Sequence, residues 1–408
     1  MSFSNGLEKR PKLRFPGFDE PWNETAFEDL GNFYNGISGK DKNDFGKGDD
    51  RYITYMNVYK NVIADIHGCD VVRIKEGEHQ NRVNFGDLLF TQSSETLDEV
   101  GLTSVWLHDY TPLLNSFCFG FHFDTPSLIN PRFAAYSMRT PYARKRIARE
   151  GQGATRYNLS SNRLKKVKIL YPSHSEQDII AGLLSLLETR IERQCEIIDQ
   201  LKKYKRGVTA KLIAAIEEKY PVVKLGEYVT VMRGSSPRPI DAYLTNSEEG
   251  VRWIKIGDTQ PDKLYITETK ERIKPEGVKK SRRVYEGDLI LSNSMSFGRP
   301  YILKVDGCIH DGWLLIRDKK HKFDKRFLCF YLASDSTLTQ YKKYAAGSCV
   351  NNLNSELVAS VEIGMPPIDQ QIHVADILEK VDRQVQALST MYSLLNRVRS
   401  ALLQQLFI

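Results

Sequence analysis

The chain has 408 residues, of which 41% are hydrophobic and 10% aromatic, so it can bury more than one core and is not composed like a disordered protein. Its formal net charge of +7 is mildly basic and by itself only permits binding to a polyanion. The sequence has no apolar run of membrane-spanning length, no secretory signal in residues 1–14, and no C-x-x-C pair. We therefore expect a folded, cytoplasmic protein without disulfides or zinc, whose cysteines are buried thiols: Cys69, Cys118, Cys195, Cys308, Cys329 and Cys349.

Residues 1–175 are predicted to form a mixed α/β domain. Short β-rich runs such as 51–58 are separated by Gly, Pro, Asn and Ser, which is typical of strands joined by turns. Near the end of this segment, residues 139–168 contain ten Lys or Arg against the single Glu150, a net charge of +9. Such a density can neutralise phosphates, although a solvated basic surface gives the same pattern.

Residues 176–218 and 370–408 are each predicted to form one long helix without proline. In both, apolar residues recur at alternating steps of four and three, the 3.5-residue period of a coiled-coil seam. Lys205 and Arg399 interrupt the two stripes at equivalent positions. We expect the helices to pair antiparallel as a spacer, through these residues: Ile180, Leu184, Leu187, Ile191, Ile198, Leu201, Val374, Leu378, Val381, Val385, Leu388 and Leu395.

Residues 219–369 are predicted to form a second mixed α/β domain, with β-rich runs at 251–256, 288–292 and 301–305. A second basic run, 270–283, carries seven cations against two glutamates, a net charge of +5. With one basic run in each half of the chain, nucleic acid becomes the favoured partner.

The second half of the chain repeats the first. A duplicated chain can build two related sites about a pseudo-twofold axis, which suits the reading of two separated pieces of a nucleic acid duplex. At an offset of 194 residues, Gly153, Asn158, Leu159, Pro172 and Gln177 recur as Gly347, Asn352, Leu353, Pro366 and Gln371. Weaker pairs are Leu30-Gly31 with Leu225-Gly226, Tyr52-Ile53 with Trp253-Ile254, and Gly86-Asp87-Leu88-Leu89 with Gly287-Asp288-Leu289-Ile290.

Two further marks accompany the repeat. The chain opens with Pro11-Lys12-Leu13-Arg14-Phe15-Pro16 followed by Trp22, and Pro-x-x-x-(Glu/Gln)-Gln leads into each long helix. In their order and duplication these marks resemble the specificity (S) subunits of type I restriction-modification systems over nearly the whole chain. The resemblance implies an α+β fold with two target-recognition domains, 1–175 and 219–369, in a pseudo-twofold arrangement and joined by the antiparallel coiled-coil helices 176–218 and 370–408.

The resemblance also implies a function and its partners. Each domain would read one half of a bipartite double-stranded DNA target, and the helix pair would set the gap between the halves. The partners implied are two modification subunits, which bind S-adenosylmethionine and methylate adenine, and restriction subunits, which use ATP and Mg to translocate and cut DNA. The chain itself would hold no cofactor and catalyse nothing.

The motifs agree with a chain that has no chemistry of its own. Asn130-Pro131-Arg132-Phe133 is similar to the Asn-Pro-Pro-(Tyr/Phe) of adenine methyltransferases, but Arg132 replaces a proline and no Gly-rich cofactor loop precedes it, so we interpret it as a turn. The sequence contains neither a phosphate-binding G-x-x-x-x-G-K-(S/T), nor a G-x-S-x-G nucleophile motif, nor metal-ligand spacing.

Loops rich in Arg, Asn, Gln, Ser and Thr are the candidates for base readout, because these side chains match the hydrogen-bonding edges of bases. The loop 233–239 is the first choice, and Arg144, Lys145, Arg146 and Arg149 fit phosphate contacts if Pro141 starts a short helix. In the first domain the other candidates are Ser38, Lys40, Gln92, Ser93, Arg156 and Asn158. In the second domain they are Arg233, Ser235, Ser236, Arg238, Asn293, Ser294, Arg299, Asn351 and Asn352.

Two other functions remain open from the sequence. The main alternative is a regulatory or architectural DNA-binding protein that works alone, which copurification of a methyltransferase would exclude. A self-contained nuclease is less favoured, because carboxylate pairs such as Asp49-Asp50 supply no convincing metal site.

Overall fold

The computed structural model describes residues 10–125, 127–260, 263–293, 298–345 and 353–407. The chain divides into two compact units: unit 1 comprises Met1–Glu192 and Leu394–Ile408, and unit 2 comprises Arg193–Ser393. Each long helix contributes one part to each unit. None of the helices in the described ranges is long and apolar enough to cross a membrane.

Unit 1 contains short strands and short helices ahead of the first long helix. The strands are β1 (Asn23–Ala26), β2 (Gly31–Asn35), β3 (Phe45–Ile53), β4 (Cys69–Val72), β5 (Leu88–Thr91), β6 (Ser93–Ser94), β7 (Thr103–Val105), β8 (Leu113–Leu114), β9 (Cys118–Phe123), β10 (Tyr157–Asn158) and β11 (Lys168–Tyr171). The helices are α1 (Tyr55–Lys60), α2 (Pro131–Met138), α3 (Pro141–Glu150), α4 (Ser161–Leu164) and the long α5 (His174–Lys219).

Unit 2 continues with a second set of elements. The strands are β12 (Val222–Lys224), β13 (Val229–Arg233), β14 (Leu244–Thr245), β15 (Val251–Ile254), β16 (Tyr265–Ile266), β17 (Glu271–Ile273), β18 (Arg282–Val284), β19 (Leu289–Ser292), β20 (Pro300–Leu303), β21 (Gly307–Ile309), β22 (Trp313–Asp318) and β23 (Glu362–Gly364). The helices are α6 (Pro275–Val278), α7 (Lys325–Leu332), α8 (Asp335–Ala345), α9 (Ser355–Ala359) and the long α10 (Ile368–Gln405).

The two units share one sheet topology. Unit 1 has a four-stranded sheet in the order β2-β9-β5-β7, and unit 2 repeats that order as β13-β22-β19-β20 with β16 added at the edge. A second sheet, β4-β3-β8 in unit 1, corresponds to β17-β15-β21 in unit 2, where β14 and β18 extend it. The paired segments β1-β11 and β12-β23 also match. The repeat in the sequence is therefore a repeat of fold.

One weak sequence pair is misaligned, however. Phe27 N–H donates to Val167 and Leu225 N–H donates to Val361, and each begins a short 3-10 turn before the first strand of its sheet. Phe27, and not Leu30, is thus the structural equivalent of Leu225. The pairing of Leu30-Gly31 with Leu225-Gly226 was wrong because the halves are offset by 198 residues at this turn (225 − 27), and the sequence pairing assumed 195 (225 − 30).

A buried glutamine explains the Pro-x-x-x-(Glu/Gln)-Gln pattern. Gln177 Oε1 accepts from the Asn130 N–H (2.8 Å), while its Nε2 donates to the carbonyls of Leu128 (3.1 Å) and Pro172 (3.0 Å). Gln371 repeats all three bonds in unit 2: it accepts from Asp324 N–H (3.0 Å) and donates to the carbonyls of Lys322 (3.0 Å) and Pro366 (2.9 Å). Each glutamine satisfies three main-chain groups at the start of a long helix.

The segment that resembles a methyltransferase motif is a helix N-cap. The Asn130 side chain accepts from the N–H groups of Arg132 and Phe133, and Pro131 occupies the first turn of α2. Asp324 caps α7 of unit 2 in the same way, through Arg326 and Phe327. The segment is structural, but its interpretation as a turn was wrong, because Pro131 to Phe133 are the first residues of α2.

The opening motif fastens the start of the chain to both long helices within unit 1. Arg14 forms a two-pronged ion pair with Glu176 on α5 (2.9 and 2.8 Å). Leu13 N–H donates to the Gln405 carbonyl on α10 (2.8 Å), and Trp22 packs edge-on against Phe407. The Pro11 to Pro16 segment and Trp22 are therefore structural.

The two long helices run antiparallel to one another in each unit. In unit 1, Arg399 on α10 pairs with Glu188 on α5 (3.7 Å), and in unit 2 Lys205 on α5 pairs with Asp382 on α10. These ion pairs are equivalent under the 194-residue offset, which explains why both stripes are interrupted by a cation. A buried Gln194 also donates to the Leu388 carbonyl (3.0 Å) in unit 2.

Most residues of the predicted packing stripe are buried. Eight of its twelve members are buried: Ile180, Leu184, Ile191, Ile198, Val374, Leu378, Val381 and Val385. The other four are partly exposed: Leu187, Leu201, Leu388 and Leu395.

Candidate nucleic-acid interface

The first candidate loop of each unit starts at a glycine that lies against a neighbouring turn. A Cβ on Gly36 would stand 2.1 Å from the Asn115 carbonyl oxygen, and one on Gly234 would stand 2.1 Å from that of His310. Only glycine permits this close approach. The loops 36–40 and 234–239 are therefore structural equivalents, each beginning at the end of the first strand of its main sheet.

The second candidate loop of each unit is fixed by equivalent hydrogen bonds. The buried hydroxyls of Thr91 and Ser292 accept from the N–H groups of Leu102 and Arg299, both at 2.9 Å. The next residues, Gln92 and Asn293, accept through their carbonyls from the N–H groups of Leu159 (2.8 Å) and Leu353 (2.9 Å). The Asn-Leu element of the repeat is thus attached to the same loop in both units.

We call each group of loops a loop edge. The loop edge of unit 1 comprises residues 35–40, 92–94, 115–117 and 152–158; that of unit 2 comprises the described residues within 233–239, 292–299 and 310–312. In both, a central turn joins the first two loops; it comprises residues 115–117 in unit 1 and 310–312 in unit 2. Gln92 N–H donates to the Phe117 carbonyl, and Asn293 N–H donates to the Gly312 carbonyl.

The structure brings four of the unit 1 candidates together and gives the two others partners elsewhere. Ser93 pairs with Asn158 in the two-stranded β6-β10 ladder, and Gln92 and Arg156 are exposed beside it. Ser38 exchanges hydrogen bonds with Gln80 through its main chain, and Lys40 forms an ion pair with Glu78. The Lys40 ammonium lowers the pKa of Glu78 to about 2. Ser93 is buried, so its main chain positions the loop more than its side chain can read a base.

Pro141 starts α3, as expected, but its four basic residues differ in availability. Lys145 and Arg149 are exposed one turn apart, which suits phosphate contacts. Arg146 is half-buried, pairs with Glu24 (3.1 Å) and lies over the Tyr142 ring (4.2 Å).

Arg144 does not fit the predicted phosphate contact. Its guanidinium donates to the carbonyls of Gly101 (2.8 Å), Asp98 (3.0 Å) and Val100. Burial lowers the pKa of Arg144 to about 10, so it stays protonated at neutral pH. Because both of its terminal nitrogens already donate to main-chain oxygens, Arg144 holds the 98–101 turn and is not placed for a phosphate contact.

Asp311 organises the loop edge of unit 2. Its carboxylate accepts from the Ser236 hydroxyl (2.9 Å) and pairs with Arg238 (3.5 Å) and His310 (2.9 Å). Its carbonyl accepts from Arg233 Nε (3.3 Å). Burial acts to raise the pKa of Asp311, but the hydrogen bond from the Ser236 hydroxyl and the interactions with His310 and Arg238 outweigh it, so the pKa lies below its ordinary value.

The Asp311 contacts leave the guanidinium of Arg238 available. The Arg238 side chain is 81% exposed, at the rim of a cleft of about 890 Å³ that Trp253, Lys255 and Glu271 also line. Arg238 is thus oriented by one carboxylate while most of its donor edge faces solvent, the geometry needed for a base or phosphate contact.

The remaining candidates of unit 2 have different positions. Asn293 is buried and donates to the Asp311 carbonyl (3.0 Å), so it supports the edge from inside. The Ser235 carbonyl accepts from Ser281 (2.7 Å), and Arg299 is exposed at the base of the 292–299 loop. Ser294, Asn351 and Asn352 lie outside the described residues.

Several side chains of the second basic run, 270–283, form hydrogen bonds with neighbouring segments. Arg272 donates to the Gly250 carbonyl (2.8 Å), Lys274 to that of Ala242 (2.8 Å), and Lys280 to the Tyr243 hydroxyl (2.6 Å). Arg282 donates to the Arg233 carbonyl (3.1 Å) and so supports the first-choice loop. Net charge along the sequence therefore overstates what this run offers a polyanion.

Sequence reasoning missed the central turns. Asp311 and His310 of unit 2, and Asn115 and Phe117 of unit 1, lie between loops that it did select. Phe117 is 57% exposed at this edge. No local motif marks these residues, because their role comes from tertiary neighbours such as Arg233, which lies 78 positions from Asp311.

The thiols are mostly inert, as expected. Cys118, Cys308 and Cys329 are buried, and burial raises the pKa of each. Cys195 is exposed on α5, so the prediction of a buried thiol was wrong there. Cys349 lies outside the described ranges. Across those ranges, His, Cys, Asp and Glu side chains form no group of three that could hold a metal ion.

The comparison with protein families decides the class of protein. The type I restriction modification DNA specificity domain matches twice, over residues 19–203 and 217–396. The chain belongs to this family. The expectation of a type I specificity subunit with two DNA-specificity domains is thereby confirmed, and a stand-alone regulator is not favoured.

Individual relatives agree with this result. The putative type I restriction enzyme MjaX specificity subunit of Methanocaldococcus jannaschii is 25% identical over 325 residues, 74% of this chain and 72% of that protein. The type I restriction enzyme MjaVIII specificity subunit of the same organism is 24% identical over 246 residues, 54% of this chain and 57% of that protein.

Solved structures show the same fold. The S subunit of a type I restriction-modification system from M. genitalium matches with a TM-score of 0.62 and 17% identity, over 98% of this chain and 99% of that one. A chain from work on complex assembly and conformational transition of the type I R-M system matches with a TM-score of 0.53 and 15% identity, over 96% and 98%. The expected class, two mixed α/β domains with two long helices, is confirmed.

Proposed function

We propose that this chain selects the DNA target of a type I restriction-modification complex, each loop edge reading one half of a bipartite double-stranded sequence. The observation that carries the proposal is the duplicated loop edge: two equivalent frameworks present different side chains. Asn115 and Phe117 of unit 1 stand where unit 2 has His310 and Gly312. Equal frameworks with unequal side chains suit two different half-sites.

The proposed domain division follows from this function. Target-recognition domains 1–175 and 219–369 would be separated by the spacer helices 176–218 and 370–408. With 46 and 38 residues, α5 and α10 extend about 70 Å and about 57 Å at 1.5 Å per residue. We propose that the antiparallel stripe fixes the gap between the half-sites.

The base contacts would come from the exposed members of the loop edges. Arg233, Arg238 and Arg299 suit guanine or phosphate, and Gln92 and Asn158 suit adenine. Lys145, Arg149 and Arg156 would contact the phosphate backbone. Ser235, Ser236, Ser93 and Asn293 would act mainly by holding the loops in place.

The proposed partners are two modification subunits and the restriction subunits. Support comes from a second apolar face on each long helix, apart from the packing stripe. Ile197 and Tyr204 on α5 are 46% and 60% exposed, and their repeat equivalents Met391 and Val398 on α10 are 46% and 49% exposed. Two equivalent exposed faces match two copies of one partner.

The chain is proposed to be non-catalytic and to act in the cytoplasm. S-adenosylmethionine would be bound by the modification subunits, and ATP and Mg by the restriction subunits. This chain would contribute placement of the complex on the target, and the chemistry on adenine would be performed by the partner.

Single-molecule methylome sequencing tests the proposal. Cells carrying this chain with its modification subunit should show adenine methylation at one bipartite motif, and cells lacking this chain should lose it. A methylome that is unchanged when the chain is removed would contradict the proposed role.

A further inference from the structure

The end of α2 in unit 1 holds an internal arginine that its unit 2 equivalent lacks. Arg139 caps α2 and Ala333 caps α7 at the same 194-residue offset and with closely similar backbone angles. The Arg139 guanidinium donates to the carbonyls of Thr103 (2.5 Å), Val58 (2.8 Å) and Asn61 (2.8 Å). It thus fills the space between the helix end and two neighbouring segments.

In unit 2 the corresponding space is an open cleft of about 280 Å³. Ala333, Pro300 and Leu264 line it. Pro300 opposes Leu291 as Thr103 opposes Phe90, and Leu264 accepts from Ile302 as Val62 accepts from Val105. The walls of the cleft are therefore the same segments that Arg139 joins in unit 1.

The charges around this space are exchanged between the units. In unit 2 the cleft is lined by Lys202, Lys205, Lys263 and Arg299, with Asp382 as the one lining carboxylate. Their equivalents in unit 1 include three neutral residues, since Lys202, Lys263 and Arg299 correspond to Asn396, Asn61 and Leu102. Unit 1 therefore has a cation inside and the Arg399–Glu188 pair at its wall, whereas unit 2 has an open centre and three further cations in its walls.

The four lining cations outnumber the lining carboxylate of Asp382. Asp382 pairs with Lys205, the counterpart of the Arg399–Glu188 pair in unit 1. Within the described part of the chain, the side chains of Lys263 and Arg299 enter no ion pair or side-chain hydrogen bond, and both are exposed at the mouth of the cleft. The charges of these two side chains are therefore available to a ligand in the cleft.

We infer that this cleft of unit 2 binds a phosphate group and that unit 1 has no such site. Several cations that converge on a small space suit a compact anion whose oxygens carry one or two negative charges, such as a phosphate group. Arg299 links the cleft to the loop edge, because its main chain closes the 292–299 loop on Ser292. A backbone phosphate of bound DNA is one source of the group, and a free polyphosphate is the other. The DNA source rests on the proposed function.

The salt dependence of DNA binding tests the DNA source. The complex of the full chain with its modification subunits is titrated with target duplex between about 50 and 200 mM salt. Lys263→Ala with Arg299→Ala should lower the slope of log affinity against log salt by about 0.9 for one lost phosphate. Ala333→Leu should lower it similarly by filling the cleft without changing charge. Lys203→Ala is the matched control, because Lys203 is an exposed lysine of α5 outside the cleft lining. This variant should not lower the slope as the cleft variants do.

Calorimetry of the full chain with inorganic pyrophosphate tests the free source. If pyrophosphate binds the parent chain, Ala333→Leu abolishes that binding, and the cleft variants keep the parent salt slope, then the cleft binds a free phosphate compound. If both cleft variants keep the parent slope and pyrophosphate binding is absent or unaffected, the inference is overturned. Failure of the parent complex to prefer target DNA would instead count against the proposed function, and the pyrophosphate titration would still test the cleft.

Discussion

Replacing Gln371 with Ala should destabilise unit 2 by about 3 kcal/mol. The side chain is 1% exposed and makes three hydrogen bonds, all with main-chain groups. Each net contribution is about 1 kcal/mol, and a buried main-chain group left without a partner costs about 1–3 kcal/mol. The substitution leaves the N–H of Asp324, the N-cap residue of α7, without its partner. The effect should therefore be confined to the unit 2 core.

The assay is chemical denaturation followed by circular dichroism, with the unfolding of each unit fitted separately if two transitions occur. Gln370→Ala is the matched control, because Gln370 is exposed and bonds only Asp369 (3.2 Å). Gln177→Ala should destabilise unit 1 by a similar amount through the same three bonds. A loss for Gln371→Ala no larger than that for Gln370→Ala would refute the role assigned to the buried amide.

Four further predictions concern recognition and assembly. Arg238→Ala should relax or abolish recognition of one half-site only, because Arg238 lies in the loop edge of unit 2; methylome sequencing that finds an unchanged motif would count against it. Asp311→Asn should impair the same half-site through loss of the ion pairs that orient the loop, and a motif altered in the other half would contradict this assignment. Insertion of four residues between Leu201 and Val208, about 6 Å of helix, should change the gap while both half-site sequences persist, as read by the same sequencing. Arg14→Ala should weaken the attachment of the N-terminal segment to α5 by roughly 1–3 kcal/mol, since it breaks a charge-assisted double hydrogen bond to a buried Glu176; protease cleavage near residue 14 no faster than in the parent would argue against this clamp.

The helices and the duplicated fold could be predicted because their signals are local and periodic. The 3.5-residue stripe follows from side-chain burial along a helix, and the offset of 194 is preserved where contacts such as those of Gln177 and Gln371 are preserved. The shared positions of Lys205 and Arg399 pointed to a common environment. Only the structure supplied their partners, Asp382 and Glu188, which lie on the opposite helix.

The candidate site was less accessible from sequence because exposure is a tertiary property. Arg144 and Lys145 are adjacent in the chain, yet one binds three carbonyls of a neighbouring turn and the other is exposed. Composition treats both as equal contributors to a basic run. Asp311 was overlooked for the opposite reason, since an isolated acid in a short turn carries no signal until Ser236 and Arg238 are brought to it.

The anchoring by Gln177 and Gln371 uses only peptide groups of the segments it joins. Carbonyls and N–H groups are present whatever residues a segment carries, apart from the missing N–H of proline. Mutation can therefore replace the outward-facing side chains of either domain almost freely without loosening its mounting. A protein built in this way can acquire new target preferences while its mechanical attachment stays the same.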